Sequence, residues 1–414
     1  MLLDTMLKRL IRFGELEVVD AGGRRRRFGR PPGRRVAMRL LDRRLELELV
    51  LRPGLALGEG YMDGRIVLEE GDVAELLLLA ADNVHRGFPR WDPAPWVTVA
   101  GWLLRLVNQR SRRGRSARNV AHHYDLSGEL YALFLDSERQ YTCAYHPTGG
   151  EGLEAAQRAK EHHIAAKLLL EPGQRVLDLG CGWGGLALHL ARRHQVDVTG
   201  VTLSREQHAW ANARASELGL AERARFLCRD YREVAGRFDR VVSVGLLEHV
   251  GLGRYEELFR RIKGLLAPDG VALVHSIGRM GGPSYTNAWI RKHIFPGGYI
   301  PALSEVLPPI ERSGLWVTDV EVLRLHYAHT LRLWRERFLA NRERAAALYD
   351  ERFCRMWEFY LAASEAFFRV QDGMNFQIQL APDRHAVPLT RDYMVDHERR
   401  HADPRPAPTP RAAA

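Results

Sequence analysis

The stretch Arg175–Gly185, RVLDLGCGWGG, limits the possible folds more than any other part of the sequence. An apolar run ends in glycines at 180, 182 and 185 and passes directly into the helical pattern WGGLALHLARRH. That order describes a buried strand, a tight turn and a helix whose amino terminus faces a ligand. The alternation continues downstream: VDVTGVTL, ARFLCRD, FDRVVSVG and GVALVHSIG read as strands, separated by helical segments such as SREQHAWANARASELGL, which opens on the capping pair Ser204 and Gln207. The expectation is an α/β fold, an open parallel sheet with helices on both faces and ligands at the carboxyl ends of the strands.

The residue before the glycines narrows the ligand. A pyrophosphate on the helix terminus would be repelled by a carboxylate at Asp178, whereas a ligand carrying a sulfonium and an ammonium group would be favoured by it. S-adenosylmethionine (SAM) carries both. The second strand ends VTLSREQ without the acid that binds ribose in NAD enzymes, so Gln207 would take that role, and Asp230 at the end of the third strand is placed to accept from an adenine amino group. NAD-dependent oxidoreduction is disfavoured on both counts.

At 414 residues the chain exceeds one ordinary core, and three parts are expected: an amino-terminal domain at 1–115, a catalytic domain at 116–380 and a disordered Pro/Ala/Arg-rich tail at 381–414. In the first part, RLELELVL (44–51) reads as a strand and GEGYMDGR (58–65) as a turn. No apolar run is long enough to span a bilayer, and a cytoplasmic protein is expected. The four dispersed cysteines form no C-x-x-C pair, so neither a disulfide framework nor a metal site is expected. The formal charge is +10, and residues 1–45 hold thirteen basic against five acidic residues, including the run Arg24–Arg27. Residues 105–118 add six arginines beside Trp91, Trp96 and Trp102, a composition suited to an anionic membrane surface. Nucleic acid would also suit the charge, but there is no RNA-reading signature, and no nucleic-acid partner is expected.

Several segments together resemble the cyclopropane-fatty-acyl-phospholipid synthases, relatives of the mycolic acid cyclopropane synthases: GEGYMDG (58–64), HHYDLSGELYALFLD (122–136), YTCAYH (141–146), VLDLGCGWGGLA (176–187), GVTLSREQ (200–207), FDRVVSVGLLEHVG (238–251), HSIGR (275–279), IRKHIFPGGYIP (290–301) and HYAHTL (326–331). The resemblance implies a Rossmann-like class I SAM-dependent methyltransferase domain with a smaller amino-terminal lipid-binding domain. It implies transfer of a methylene group from SAM to the cis double bond of an unsaturated phospholipid acyl chain, with a bound bicarbonate as the base. The matching positions for that base are Cys143, Glu248, His275, Ile277 and Tyr327, with Cys143 and Ile277 acting through backbone amides and Glu248 orienting His275 or accepting the proton through the ion. For SAM the resemblance points to Tyr141 and Thr142, Gly180 and Gly182, Thr202 and Gln207, and Asp230 with Tyr231. Tyr141 and Tyr145 offer π faces to a developing carbocation, and the insertion at 284–310 would form a lid over the acyl chain. The partner expected is an unsaturated phospholipid in an anionic membrane, met peripherally at the inner leaflet. A methyl-branched acyl product or another small methyl acceptor stays open as the alternative, as does homodimerisation.

Overall fold

The computed structural model describes residues 2–86 and 127–401. The 115/116 boundary, the tryptophans at 91, 96 and 102 and the arginines of 105–118 lie outside the described residues, as do residues 122–126 of the HHYDL motif and the last part of the tail, 402–414.

The amino-terminal unit is a four-stranded sheet in the order β2-β1-β3-β4, with β1 Gly14–Val19, β2 Arg25–Arg30, β3 Arg35–Leu40 and β4 Ile66–Glu70. The helices Leu2–Leu10, Arg43–Leu51, Pro53–Met62 and Val73–His85 accompany it. Its core holds Leu16, Val18, Val36, Met38, Leu45, Leu49 and Leu79. Two expectations fail here. RLELELVL is helical, because the Asp42 carboxylate accepts from the Leu45 N–H at 2.8 Å and starts a helix that buries Leu45 and Leu49, one turn apart, while Leu47 and Leu51 face solvent. Gly58–Met62 closes the next helix and only Asp63–Gly64 turns. Gly58 is required by close approach, since a Cβ there would stand 2.4 Å from the Trp289 ring.

The run Arg24–Arg27 is also less of a free cationic patch than its letters suggest. Arg25 and Arg27 both pair with Glu17, at 2.6 and 2.7 Å, and Arg26 pairs with Asp4 and Asp20. Much of this run's charge is neutralised within the fold.

The catalytic unit is built on a seven-stranded sheet in the order β10-β11-β9-β8-β5-β6-β7, where β5 is Arg175–Leu179, β6 Asp197–Thr202, β7 Ala224–Cys228, β8 Phe238–Val244, β9 Leu266–Arg279, β10 Trp316–Leu323 and β11 Gly373–Ala381. The five strands read from the sequence pair in parallel, and β11 enters antiparallel between β9 and β10. This is the expected α/β Rossmann-like architecture. Because β5 and β8 are neighbours in a sheet whose order reverses at β5, their carboxyl ends open a crevice. The helix Glu351–Val370 packs against both Pro53–Met62 and Val73–His85 and so joins the two units. Tyr61 donates to Glu358 at 2.9 Å, and Arg352 pairs with Asp63 at 2.8 Å across the same seam.

The expected disordered tail is ordered through residue 401. Helix Asp392–His401 packs on helix Leu153–Leu168, burying Met394, while Gln379 donates to the Tyr393 hydroxyl at 2.7 Å and Glu398 bonds to His163. A single buried apolar residue and these polar contacts fix it, signals that a composition dominated by Arg, His and Asp conceals. Among the described residues no helix is long and apolar enough to cross a membrane.

Candidate active site

A cavity of about 700 Å³ opens at the carboxyl ends of β5, β8 and β9, and a second of about 100 Å³ adjoins it through Gly180, Gly182 and Gln207. Gly180 and Gly182 adopt φ of 79° and 55°, and a Cβ at Gly182 would meet nothing within 4 Å, so the turn leaves its backbone open to a ligand. Asp178 is 2% exposed at the end of β5, and burial raises its carboxyl to about 7. Part of the opposing effect comes from Lys160, a residue the sequence reading missed. Lys160 is fully buried in helix Leu153–Leu168, lines the cavity and donates from Nζ to Thr142 Oγ1 at 2.8 Å; burial lowers its ammonium to about 8. A signal for it existed: it stands between Ala156 and Ile164 at helical spacing, a lysine inside an otherwise apolar stripe.

The segment bearing Tyr141–Cys143 is held from behind. Gln157 donates to the carbonyls of Gln140 and Thr142 at 3.2 and 3.1 Å. Tyr141 shares a hydrogen bond with Tyr360 at 2.7 Å and stacks on Trp334 with ring centroids 5.1 Å apart. Tyr145 departs from expectation: it is sandwiched between His163 (4.0 Å) and His326 (4.9 Å), so both of its faces are covered and neither is offered to a substrate. The Cys143 thiol is buried, donates to the Ala144 carbonyl at 3.3 Å and is pushed upward by burial, which keeps it protonated.

In the smaller cavity Thr202 donates to Gln207 Oε1 at 2.8 Å, and Tyr231 and Asp230 line the wall. Asp230 does not stand free for an adenine amino group: its carboxylate holds the Arg232 guanidinium at 2.8 and 2.5 Å. An amino donor would have to share those oxygens.

Glu248 lies in the short helix Leu247–Val250 after β8. Its Oε1 accepts the Ile277 N–H at 2.6 Å, while Oε2 is buried without a hydrogen-bond partner among the described residues. Burial raises this carboxyl to about 7. The Ile277 amide is therefore spent on Glu248 and is not an independent donor to an anion, which revises the role implied for it. Glu248 is not what orients His275 either. On β11, Gln377 Nε2 lies 3.1 Å from His275 Nδ1 and Asn375 Nδ2 lies 3.2 Å from Nε2. Gln377 Oε1 accepts from Lys167 at 2.7 Å, so its amide nitrogen faces the ring and His275 Nδ1 must be the acceptor. The proton then sits on Nε2, and a 180° turn of the Asn375 amide lets Oδ1, otherwise buried without a partner, accept it. Burial lowers His275 to about 3, so the ring is neutral. Tyr327 lines the cavity at the start of helix His326–Ala340, against Phe368 (4.7 Å) and edge-on to Trp334 (5.7 Å).

One cavity thus collects Cys143, Glu248, His275, Ile277 and Tyr327 with Tyr141, Thr142, Asp178, Gly180, Gly182 and Gln207; Thr202, Asp230 and Tyr231 line its annex. Its far wall is apolar and comes largely from the amino-terminal unit: Leu57, Leu77, Ala80, Ala81 and Val84, faced by Phe359, Ala363 and Phe367. Residues 284–300 supply a further side, tied down where the Tyr299 N–H donates to the Glu248 carbonyl at 3.0 Å.

The sheet, the glycine turn and the carboxyl at its lip define a SAM-dependent methyltransferase. The chain belongs, more narrowly, to the mycolic acid cyclopropane synthetase family, whose model matches residues 111–378. It is 38% identical over 330 residues to the cyclopropane-fatty-acyl-phospholipid synthase of Escherichia coli K12, covering 80% of this chain and 84% of that one. It is 36% identical over 351 residues to a probable fatty acid methyltransferase of Pseudomonas putida, covering 82% and 86%. Among solved structures, the cyclopropane synthase MmaA2 of Mycobacterium tuberculosis superposes with a TM-score of 0.61 at 34% identity, over 64% of this chain and 98% of that one. The mycolic acid cyclopropane synthase CmaA1 complexed with SAH and CTAB gives the same TM-score at 35% identity, over 64% and 97%.

Proposed function

We propose that this chain transfers a methylene group from SAM to the cis double bond of an unsaturated phospholipid acyl chain, with a bound bicarbonate taking up the proton released on ring closure. The observation that carries this reading is the two-ended cavity of about 700 Å³: buried carboxyls and a glycine turn at one end, an apolar wall of the kind an acyl chain would meet at the other. SAM supplies the activated methyl carbon. Asp178, Gly180, Gly182, Gln207 and the annex residues would hold it, and Asp178 suits a cationic ligand because the approach of positive charge favours its ionised form.

For the anion the fit is narrower than the resemblance implies. The bare Glu248 Oε2 would accept the hydroxyl of a bicarbonate, and the Lys160 ammonium contributes positive charge at the cavity wall. Bicarbonate supplies an oxygen base in a pocket where water is scarce. Glu248, poised near neutrality, is matched to proton transfer at physiological pH. His275, neutral and with both ring nitrogens engaged by Gln377 and Asn375, would give the ion a hydrogen bond only by giving up the one to Asn375, and it does not act as a charged acid.

A methyl-branched product is the second reading, favoured by the fatty acid methyltransferases among the relatives. Incubating the purified protein with SAM and unsaturated phospholipid vesicles, then recording proton NMR of the released acyl esters, separates a ring from an isomeric methyl-bearing or methylene alkene, which mass alone does not. Absence of any acyl product would refute both readings. Peripheral attachment to an anionic leaflet belongs to the same proposal. Vesicle binding that demands anionic lipid and weakens as salt rises supports it, and equal binding to neutral vesicles in high salt counts against it.

A further inference from the structure

Away from the cavity, three histidines converge from two helices. His194 closes the helix Gly185–His194, and His397 and His401, one turn apart, lie on the carboxyl-terminal helix Asp392–His401. Their rings are packed together: His397 stacks on His401 at 4.2 Å, and His194 lies 5.2 Å from His397 and 5.3 Å from His401. One ring nitrogen from each falls within 4.8 Å of the others.

Several observations point to a ligand. His194 is 7% exposed, and its Nε2 is buried with no hydrogen-bond partner among the described residues; both ring nitrogens of His397 are in the same condition. Buried polar atoms rarely go unpaired, because each forfeits the hydrogen bonds it would make in water. His401 engages Nδ1 with the His397 carbonyl at 2.9 Å, which orients the ring and fixes which nitrogen remains for a ligand, as an outer partner does for a metal-bound imidazole. Finally, His194 sits at the carboxyl end of the helix Gly185–His194, where the exposed carbonyl dipoles favour a cation.

We propose that His194, His397 and His401 form a binding site for a divalent transition metal, zinc by preference, that clamps the carboxyl-terminal helix to the helix following the glycine turn. Three imidazoles are a donor set for zinc, with the fourth tetrahedral position left to water. Metal–nitrogen bonds of about 2.0–2.1 Å require the three nitrogens to draw closer than 4.8 Å, a movement within reach of side-chain rotation on the partly exposed helix. The expectation drawn from the cysteines, that no metal site exists, overlooks this cluster because its members are some two hundred residues apart in sequence and the second pair lies in the segment expected to be disordered.

The test uses the full, untagged, chelator-treated chain. Cobalt(II) is titrated in and its ligand-field absorption followed, and zinc is then added to displace it. The same titrations are run on His397→Gln, His401→Gln and, as a control, the exposed His385→Ala. One ion should bind per chain. Each cluster variant should weaken binding by at least ~10-fold, the lower end of what even outer partners of a metal-bound histidine contribute, while the control binds as the parent does. Zinc should also slow amide exchange across residues 392–401 in the parent but not in the variants, a readout independent of methyl transfer. No binding at tens of micromolar metal, or binding that both Gln variants leave unchanged, would overturn the site. Circular dichroism on the variants separates a lost ligand from a lost fold.

Discussion

The two ends of the cavity are built on different physical terms. The end at β5 and β8 carries buried ionisable groups, Asp178, Lys160 and Glu248, whose proton affinities burial has shifted toward neutrality. The opposite end carries none of these; Leu57, Leu77, Ala80 and Val84 meet Phe359 and Phe367, and their contribution is area removed from water. Under the proposed function, chemistry is concentrated where charge is costly, and substrate binding is spread where each contact is small. Perturbing the first end should produce large effects confined to one step, and perturbing the second should produce modest effects on lipid affinity.

The largest effect is expected from Glu248→Gln. It keeps the acceptor for the Ile277 N–H but removes the group matched to proton transfer, so turnover should fall by ~10²–10⁴-fold, the range for loss of a positioned base. SAM affinity, measured by calorimetry, should stay within about twofold. Equal loss of SAM binding would show that the two carboxyls are one site and not two. Next is Asp178→Asn, which should weaken SAM binding by ~10–100-fold, the worth of a hydrogen bond to a charged group, with little further change in turnover at saturating SAM. The parent's affinity should also fall as pH drops below about 7, because protonation removes the carboxylate that the cationic ligand prefers. Binding should accordingly release protons, seen as a buffer-dependent enthalpy, and the Asn variant should lose both behaviours.

These two ends were unequally legible in the sequence. Asp178, Gly180 and Gly182 sit within five residues on a strand–turn–helix unit, where local pattern and local geometry coincide. Glu248 and His275, which the resemblance named, both line the one cavity. It did not reveal what holds them, because Asn375 and Gln377 lie on β11, about a hundred residues further along the chain, and reach His275 only through an antiparallel strand inserted beside β9. Lys160 was easily passed over: in a helix that also carries Arg158, Glu161 and Lys167, its place on the apolar stripe with Ala156 and Ile164 is the one sign that it is covered. The apolar end was legible only as an expected lipid-binding domain, with no residue assigned to it. Its wall is assembled from helices Pro53–Met62, Val73–His85 and Glu351–Val370, none of which carries a motif for chemistry, and their convergence is a tertiary fact.

At that apolar end, Leu57→Ala should lower kcat/KM for phospholipid by ~10-fold, as expected when a pocket loses packed methylenes, and leave SAM binding untouched. A loss of turnover at saturating lipid would mean that the wall positions the double bond and does not merely hold the chain.

The smallest effect concerns the seam that holds the two ends together. Tyr61 in the amino-terminal unit donates to Glu358 in the helix Glu351–Val370, a half-buried contact in which burial raises the glutamate's proton affinity. Tyr61→Phe keeps the ring, which packs on Phe359 at 6.2 Å, and removes only the donor. One hydrogen bond is worth about 1 kcal/mol net, so the thermal midpoint should fall by about 2 °C. If the wall works only when docked, the same variant should raise KM for lipid slightly at temperatures near the transition while SAM affinity holds. A drop in SAM affinity of the same size would instead mean that loosening the seam reaches the β5 end, and the separation between a charged reaction centre and an apolar holding surface would have to be given up.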